Sequence, residues 1–207
     1  MAKKENIQWL IGIDEAGRGP IAGPVTVGAV LIPYQKLGWF EKKFFAEGIK
    51  DSKKLTAKKR REILAELVVL QKEEKIKFTY CHVSAQQIDT KGINACVRAG
   101  IDKVLVGLEV LPDQCVVRLD GLLKAPEIFA HQTTIIKGDE REVVIALASV
   151  VAKVSRDELM TKLAVKYPDY GLDRHKGYGT RHHFKKIEEH GPCLAHRKSF
   201  LNRISDR

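Results

Sequence analysis

Long apolar runs are absent from this sequence. No segment approaches the roughly 18 uncharged apolar residues of a membrane span. The charged start, Met1-Ala-Lys-Lys-Glu-Asn6, is not followed by the apolar stretch and small-residue cleavage site of a secretory leader. A soluble chain that stays in the cytoplasm is expected, with no membrane attachment. Cysteine is sparse and scattered: Cys81, Cys96, Cys115 and Cys193 show no Cys-x-x-Cys spacing, which argues against a disulfide framework and fits a reducing compartment. Aromatics make up 7% of residues and are not interleaved with the basic runs, which disfavours a single-strand binder that stacks bases. Repeats and low-complexity segments are missing. So is a dinucleotide-binding loop: Gly17, Gly19 and Gly23 follow an apolar run, but their spacing is off by one residue and a strand pattern comes next instead of a helix.

What is present is a globular composition with a basic balance. At 207 residues and 44% apolar, the chain can close one substantial core with length to spare, so a main domain over 1–167 and a C-terminal loop and helical segment over 168–207 are expected. Lys plus Arg number 36 against 26 for Asp plus Glu, a formal charge of +10 that favours a polyanionic partner. A membrane surface is the weaker option, because no basic amphipathic helix with an aromatic apolar face stands out.

Periodicity divides the chain into alternating elements. Trp9 to Ile13 reads as a short buried strand, Gly23 to Pro33 as a second and Lys75 to Val83 as a third, with Ile76, Phe78 and Tyr80 on one face. These three would form an antiparallel meander. Cys115 to Gly121 and His131 to Ile136 supply a fourth and a fifth. Helices are expected from about Ala57 to Gln71 with Thr56 as N-cap, through Gln86 to Asp89, from Ile93 to Leu108 after a break at Gly92, from Glu142 to Tyr167, and lastly from Arg181 to Glu189. The first half of the Glu142 helix is apolar on nearly every face, and its Ala146, Ala148, Ser149 and Ala152 would let it lie close to a sheet.

Carboxylates recur where strands end. Asp14 and Glu15 close the first, Asp120 the fourth, and Asp139 follows the fifth. Neighbouring strand residues point to opposite faces, so Asp14 and Glu15 can serve one site only if the chain bends there, which Ala16-Gly-Arg-Gly19 permits. Acids gathered without partners repel one another and are costly to desolvate, so such a cluster implies a compensating cation. Hard oxygen donors suit Mg²⁺ or Mn²⁺, and two such ions about 3.5–4 Å apart are a device for in-line phosphodiester hydrolysis. Lys53, Lys54 and Lys176 are candidate phosphate contacts. His182, His183, His190, Cys193 and His196 contain enough nitrogen and sulfur for zinc, though spacing of this kind in a polar tail is ordinarily accidental.

The chain resembles the prokaryotic type 2 ribonuclease H family, ribonuclease HII, over nearly its whole length. The resemblance is carried by Gly12-Ile-Asp-Glu-Ala-Gly-Arg-Gly-Pro20, Asp51-Ser-Lys-Lys-Leu55, Gly92-Ile-Asn94, Leu119-Asp-Gly121, Lys137-Gly-Asp139, Ala148-Ser-Val-Val-Ala-Lys-Val-Ser-Arg-Asp157, Lys176-Gly-Tyr178 and His196-Arg-Lys-Ser-Phe200. It implies an α/β ribonuclease H-like fold, a mixed five-stranded sheet flanked by helices with a small helical C-terminal segment. It also implies that Asp14, Glu15, Asp120 and Asp139 are the metal-binding catalytic acids, and that Gly17, Arg18 and Gly19 read the ribonucleotide 2′-hydroxyl. Tyr178 would stack on the following deoxynucleotide sugar. The implied activity is endonucleolytic cutting on the 5′ side of a ribonucleotide in RNA–DNA hybrids or ribonucleotide-containing DNA duplexes. A monomer is expected. This chain departs from many relatives in carrying Glu140-Arg-Glu142 after Asp139 and Ile145-Ala-Leu-Ala-Ser149 in the following helix. Asp157, beside Arg156, reads as an ion-pair partner and not as the fourth ligand. A non-catalytic hybrid-binding module and an integrase-like or exonucleolytic enzyme are the alternative classes.

Overall fold

A computed structural model of the chain describes residues 7–45, 48–49 and 55–205. The strands are β1 (Trp9–Ala16), β2 (Val25–Pro33), β3 (Lys77–Val83), β4 (Cys115–Asp120) and β5 (Gln132–Ile135). The helices are α1 (Leu37–Phe40, continuing as a π turn over Glu41–Phe45), α2 (Ala57–Lys72), α3 (Ala85–Lys91), α4 (Ile93–Leu108), α5 (Gly138–Arg141), α6 (Val143–Lys166), α7 (Leu172–His175), α8 (Arg181–His190) and α9 (Lys198–Ser205). One mixed sheet runs β3-β2-β1-β4-β5. The expected meander is there, β1 with β2 and β2 with β3 antiparallel, while β4 and β5 continue parallel to β1. Parallel β1, β4 and β5 therefore all end at the same edge.

Strand alternation assigns the two faces. Ile11, Ile13, Val27 and Leu119 face a core built with Val97, Ile101, Val104 and Leu108 of α4. Leu10, Val30 and Ile32 face the other core, made by α6 together with Ile63, Leu67 and Leu70 of α2. Each fully buried aliphatic side chain, such as Leu67, contributes roughly 1.5–3 kcal/mol of transfer free energy. α2 begins where Thr56 Oγ1 accepts from Lys59 N–H at 3.2 Å, and α3 begins with a capping box between Ser84 and Gln87.

The closeness of α6 to the sheet is set by the strands as much as by the helix. A Cβ at Gly12 would come within 2.1 Å of the Val144 carbonyl oxygen, and one at Gly28 within 2.6 Å of the Ala148 oxygen. Small helix residues alone would not permit this approach; the strands are bare at the same points. Val143 to Ala152 is buried throughout, as the apolar pattern requires.

Several local expectations change. β3 is an edge strand, so its expected apolar face is only partly covered, and Tyr80 is exposed. Arg181–His190 is not the last helix, since α9 follows the turn after Cys193. A third, smaller core joins Tyr170, Leu172 and Ala195 of the C-terminal segment to Ala22 and to Met160 of α6.

Candidate active site

β1 does not bend at its two acids. It pairs regularly with β2 as far as Ala16, opposite Thr26, so the turn comes after Asp14 and Glu15. Alternation puts Asp14 on the α6 face with Leu10, and Glu15 on the α4 face with Ile11 and Ile13. Both lie at the end of β1, close enough for the Glu15 charge to act on Asp14. Asp139 likewise sits in the one-turn helix α5, beyond the end of β5.

Asp14 is 3% exposed, accepts from Glu15 N–H at 2.7 Å and is hydrogen-bonded by Ser149. Burial raises its carboxyl well above the usual range, and the Glu15 and Asp120 charges push it further in the same direction. The carboxyl at the end of β1 thus feels the charge at the end of β4. Asp120 Oδ1 accepts from Gly138 N–H at 2.7 Å, which ties the end of β4 to the turn that presents the fully buried Asp139. The extra acids of this chain are engaged elsewhere: Glu142 pairs with Arg118 of β4, and Glu140 lies 3.9 Å from Lys137.

Among the described residues, no group of three or more His, Cys, Asp or Glu side chains is drawn together tightly enough to hold a metal ion. This applies to the histidine-rich tail as well as to the four acids. The donor set of the acids nevertheless suits a hard divalent cation: all are carboxylates, and burial together with the Glu15 and Asp120 charges already raises the proton affinity of Asp14.

Past Ala16 the chain turns at Gly17, with φ +90°, where a Cβ would meet Arg156 Nε at 2.0 Å. Gly19 has nothing within 4 Å of its missing Cβ, so the two glycines serve different needs. Arg18 reaches Asn94 Oδ1 at 2.6 Å through Nη2, and its Nη1 lies 3.6 Å from Glu15 Oε1. A cleft of about 530 Å³ opens here, lined in part by Glu15, Arg18, Asn94, Arg98, Asp120 and Lys124. A smaller one of about 270 Å³ lies between Glu15, Gly17, Arg60, Ser149, Lys153 and Tyr178. Tyr178 is 48% exposed and borders this second cleft.

The Tyr178 backbone is anchored by a chain of histidines whose hydrogen bonds assign their tautomers. His196 Nδ1 accepts from Cys193 N–H at 2.9 Å, so its Nε2 carries the proton and donates to His183 Nε2 at 3.0 Å. His183 then donates from Nδ1 to the Tyr178 carbonyl at 2.9 Å. Burial lowers both rings, His183 to about 4, and keeps them neutral. The zinc donors considered from spacing are thus committed in part to one another.

Lys176 does not border either cleft: its Nζ donates to Thr161 Oγ1 at 3.0 Å and to the Asp157 carbonyl at 3.4 Å. Lys53 and Lys54 lie outside the described residues. Asp157 does form an ion pair, with Lys153 at 2.6 Å and not with its neighbour Arg156. Asn94, Arg60 and Lys153 were not expected at the site, and Ser149 was expected only as a small residue against the sheet; the position of Asn94 in Gly92-Ile-Asn94 and of Ser149 and Lys153 in the α6 block was the available signal.

A mixed sheet in this strand order, covered by helices on both faces, is the architecture of the ribonuclease H class. The ribonuclease H2 structure from Pyrococcus horikoshii superposes with a TM-score of 0.73 at 23% identity, over 96% of this chain and 98% of that one. A family profile for ribonuclease HII matches residues 11–203. The chain is 41% identical over 201 residues to ribonuclease HII of Caldicellulosiruptor saccharolyticus, covering 97% of this chain and 91% of that protein. It is 45% identical over 202 residues to ribonuclease HII of Chlamydia trachomatis serovar A, covering 96% and 85%. The chain belongs to the ribonuclease HII family, and is a type 2 ribonuclease H, an endonuclease of RNA–DNA hybrids. Among the described residues, no helix is long and apolar enough to cross a membrane.

Proposed function

We propose that this enzyme hydrolyses the phosphodiester on the 5′ side of a ribonucleotide, in RNA–DNA hybrids or in DNA duplexes with embedded ribonucleotides, leaving 3′-hydroxyl and 5′-phosphate ends. The observation that carries the reading is the parallel run of β1, β4 and β5, which delivers Asp14, Asp120 and the turn bearing Asp139 to one sheet edge beside Arg18. Asp14, Glu15, Asp120 and Asp139 would hold Mg²⁺ or Mn²⁺. Bound there, divalent ions supply charge compensation and water activation for in-line displacement at phosphorus.

The remaining work falls to the chain itself. Ser149 and the Glu15 amide fix the Asp14 carboxylate, and the Gly138 amide fixes that of Asp120, so neither acid needs to reorganise during reaction. Gly17, Arg18 and Gly19 face the ribonucleotide, whose 2′-hydroxyl is the handle that separates RNA from DNA. The exposed Tyr178 ring packs on the next sugar, with Arg60 and Lys153 beside it in the same cleft to receive phosphate. Lys176 would reach a phosphate only by releasing Thr161. The segment 168–207 acts as a substrate-holding addition to the catalytic domain.

A duplex carrying one ribonucleotide tests this directly. With Mg²⁺ or Mn²⁺ it is expected to be cut on the 5′ side of that residue, with the product ends read by mass spectrometry. No cutting in either ion, or equal cutting of the all-DNA duplex, overturns the reading in favour of a binding module or a general nuclease.

A further inference from the structure

Arg197 belongs to His196-Arg-Lys-Ser-Phe200, a block to which neither acid chemistry nor junction reading gives a task. Its side chain is fully buried, unusual for arginine, and lies beneath the bend that follows β1. Nη2 donates to the Gly17 carbonyl at 2.7 Å, Nη1 to the Arg18 carbonyl at 3.0 Å, and Nε to the Gly23 carbonyl at 2.9 Å. One planar guanidinium therefore grips both ends of the bend. Arg156 grips the same segment from α6, through Pro24 and Ala22, and reaches the Lys176 carbonyl at 2.9 Å, next to the Tyr178 loop.

The strand of chain that carries Arg197 is itself fastened. Ala22 pairs with His196 in an antiparallel bridge, and Arg197 N–H donates to the Ile21 carbonyl at 2.8 Å. Downstream, Asp89 of α3 accepts from the amides of Lys198 and Ser199, each at 2.9 Å, and from Ser199 Oγ at 2.6 Å. The guanidinium is thus delivered at a fixed height under the bend.

Peptide planarity turns this grip into an orientation. In a trans peptide the carbonyl of one residue and the N–H of the next point in opposite directions. With the Gly17 and Arg18 carbonyls held inward, the N–H groups of Arg18 and Gly19 must point outward, where both residues are exposed. Gly17 at φ +90° makes the turn accessible, and the open space at Gly19 leaves room for a sugar.

We propose that Arg197 is the positioning residue for ribose recognition: by fixing the Gly17 and Arg18 carbonyls it aims the amides that face the 2′-hydroxyl, so discrimination between ribonucleotide and deoxynucleotide depends on a side chain that touches no substrate. The proposal rests on the assignment of Gly17-Arg18-Gly19 as the ribose reader.

The test compares equilibrium binding of two duplexes that differ by one 2′-hydroxyl, by fluorescence anisotropy in Ca²⁺, for the parent, Arg197→Met, Arg197→Lys and Asp89→Asn. The parent prefers the ribonucleotide duplex; in Arg197→Met that preference falls by at least about tenfold, on the scale of one hydrogen bond, at unchanged all-DNA affinity. Arg197→Lys, with a cation but no fork, falls between the two. A purely structural role weakens both duplexes together and leaves the ratio intact, and that result overturns the proposal. If Arg197→Met loses its cooperative melt, Arg197→Lys and Asp89→Asn decide, and a parental ratio in both overturns it. A parent that binds the two duplexes alike overturns the ribose reader itself, whereas a discriminating parent with an equally discriminating Arg197→Met overturns only the role of Arg197.

Discussion

Arg18 donates from Nη2 to Asn94 Oδ1 at 2.6 Å, which places a partly exposed guanidinium between the first turn of α4 and the end of β1, where Glu15 lies 3.6 Å from Nη1. An arginine side chain carries roughly 2 kcal/mol of rotamer entropy, and these two contacts restrain part of it before a ligand arrives. In the role proposed for it, Arg18 would meet the duplex pre-organised.

Asn94→Leu should therefore weaken substrate capture more than chemistry. The KM for a duplex with one ribonucleotide is expected to rise about tenfold, the scale of one charge-assisted hydrogen bond, with kcat nearly unchanged. Asn94→Asp, which keeps the acceptor, should stay close to the parent. Steady-state kinetics on one substrate separate these outcomes.

Asp14→Asn should trade activity for stability. Because the folded carboxyl is raised, the native state binds more protons than the unfolded chain from the ordinary Asp pKa upward, and metal-free stability falls as pH rises through that window. Removing the charge relieves this, so the metal-free variant should melt above the parent at neutral pH. Added Mn²⁺ should raise the parent's melting temperature and the variant's much less. Cleavage should drop by about a hundredfold or more, the scale of losing one pre-organised charged group. Paired melts with and without Mn²⁺, beside the cleavage assay, check all three.

The sheet was readable from residues because its strands alternate or run apolar in short stretches, as β1, β2 and β4 do. The edge position of β3 was not, since exposure of Tyr80 depends on which strand has no neighbour. The acids were visible as types but not as geometry: β1 runs regularly through Asp14 and Glu15, and Asp139 sits on a helical turn whose first residue, Gly138, donates to Asp120. Asn94, Arg156 and Arg197 act across 76 to 180 residues of sequence. Local pattern carries no trace of such pairings.

The histidine chain beneath Tyr178 predicts an acid-side loss of stability. His183 and His196 of that chain, the neighbouring His175, and separately His82 on β3, are all held below the ordinary value by burial, His183 at about 4. From about 6.5 downward, and for His183 as far as about 4, the unfolded chain binds protons that the folded one refuses, so stability falls as pH drops and is insensitive to these groups above that range. His183→Gln should flatten the slope. Thermal melts stepped through that interval, parent against variant, give the difference directly.

Gly17 and Gly19 should separate folding from recognition when each is changed to alanine. At Gly17 a Cβ would meet Arg156 Nε at 2.0 Å and the Pro24 carbonyl oxygen at 2.8 Å, at a φ of +90° that L-residues disfavour. Strain of this kind costs about 1–3 kcal/mol, which lowers the melting temperature of a chain this size by several degrees. At Gly19 nothing lies within 4 Å, so Gly19→Ala should melt with the parent. Its added methyl instead projects into the space where a ribose would approach, so its KM should rise while its stability does not. If the two variants behaved alike in both melting and KM, the division of the bend into an internally fixed glycine and a ligand-facing one would be wrong.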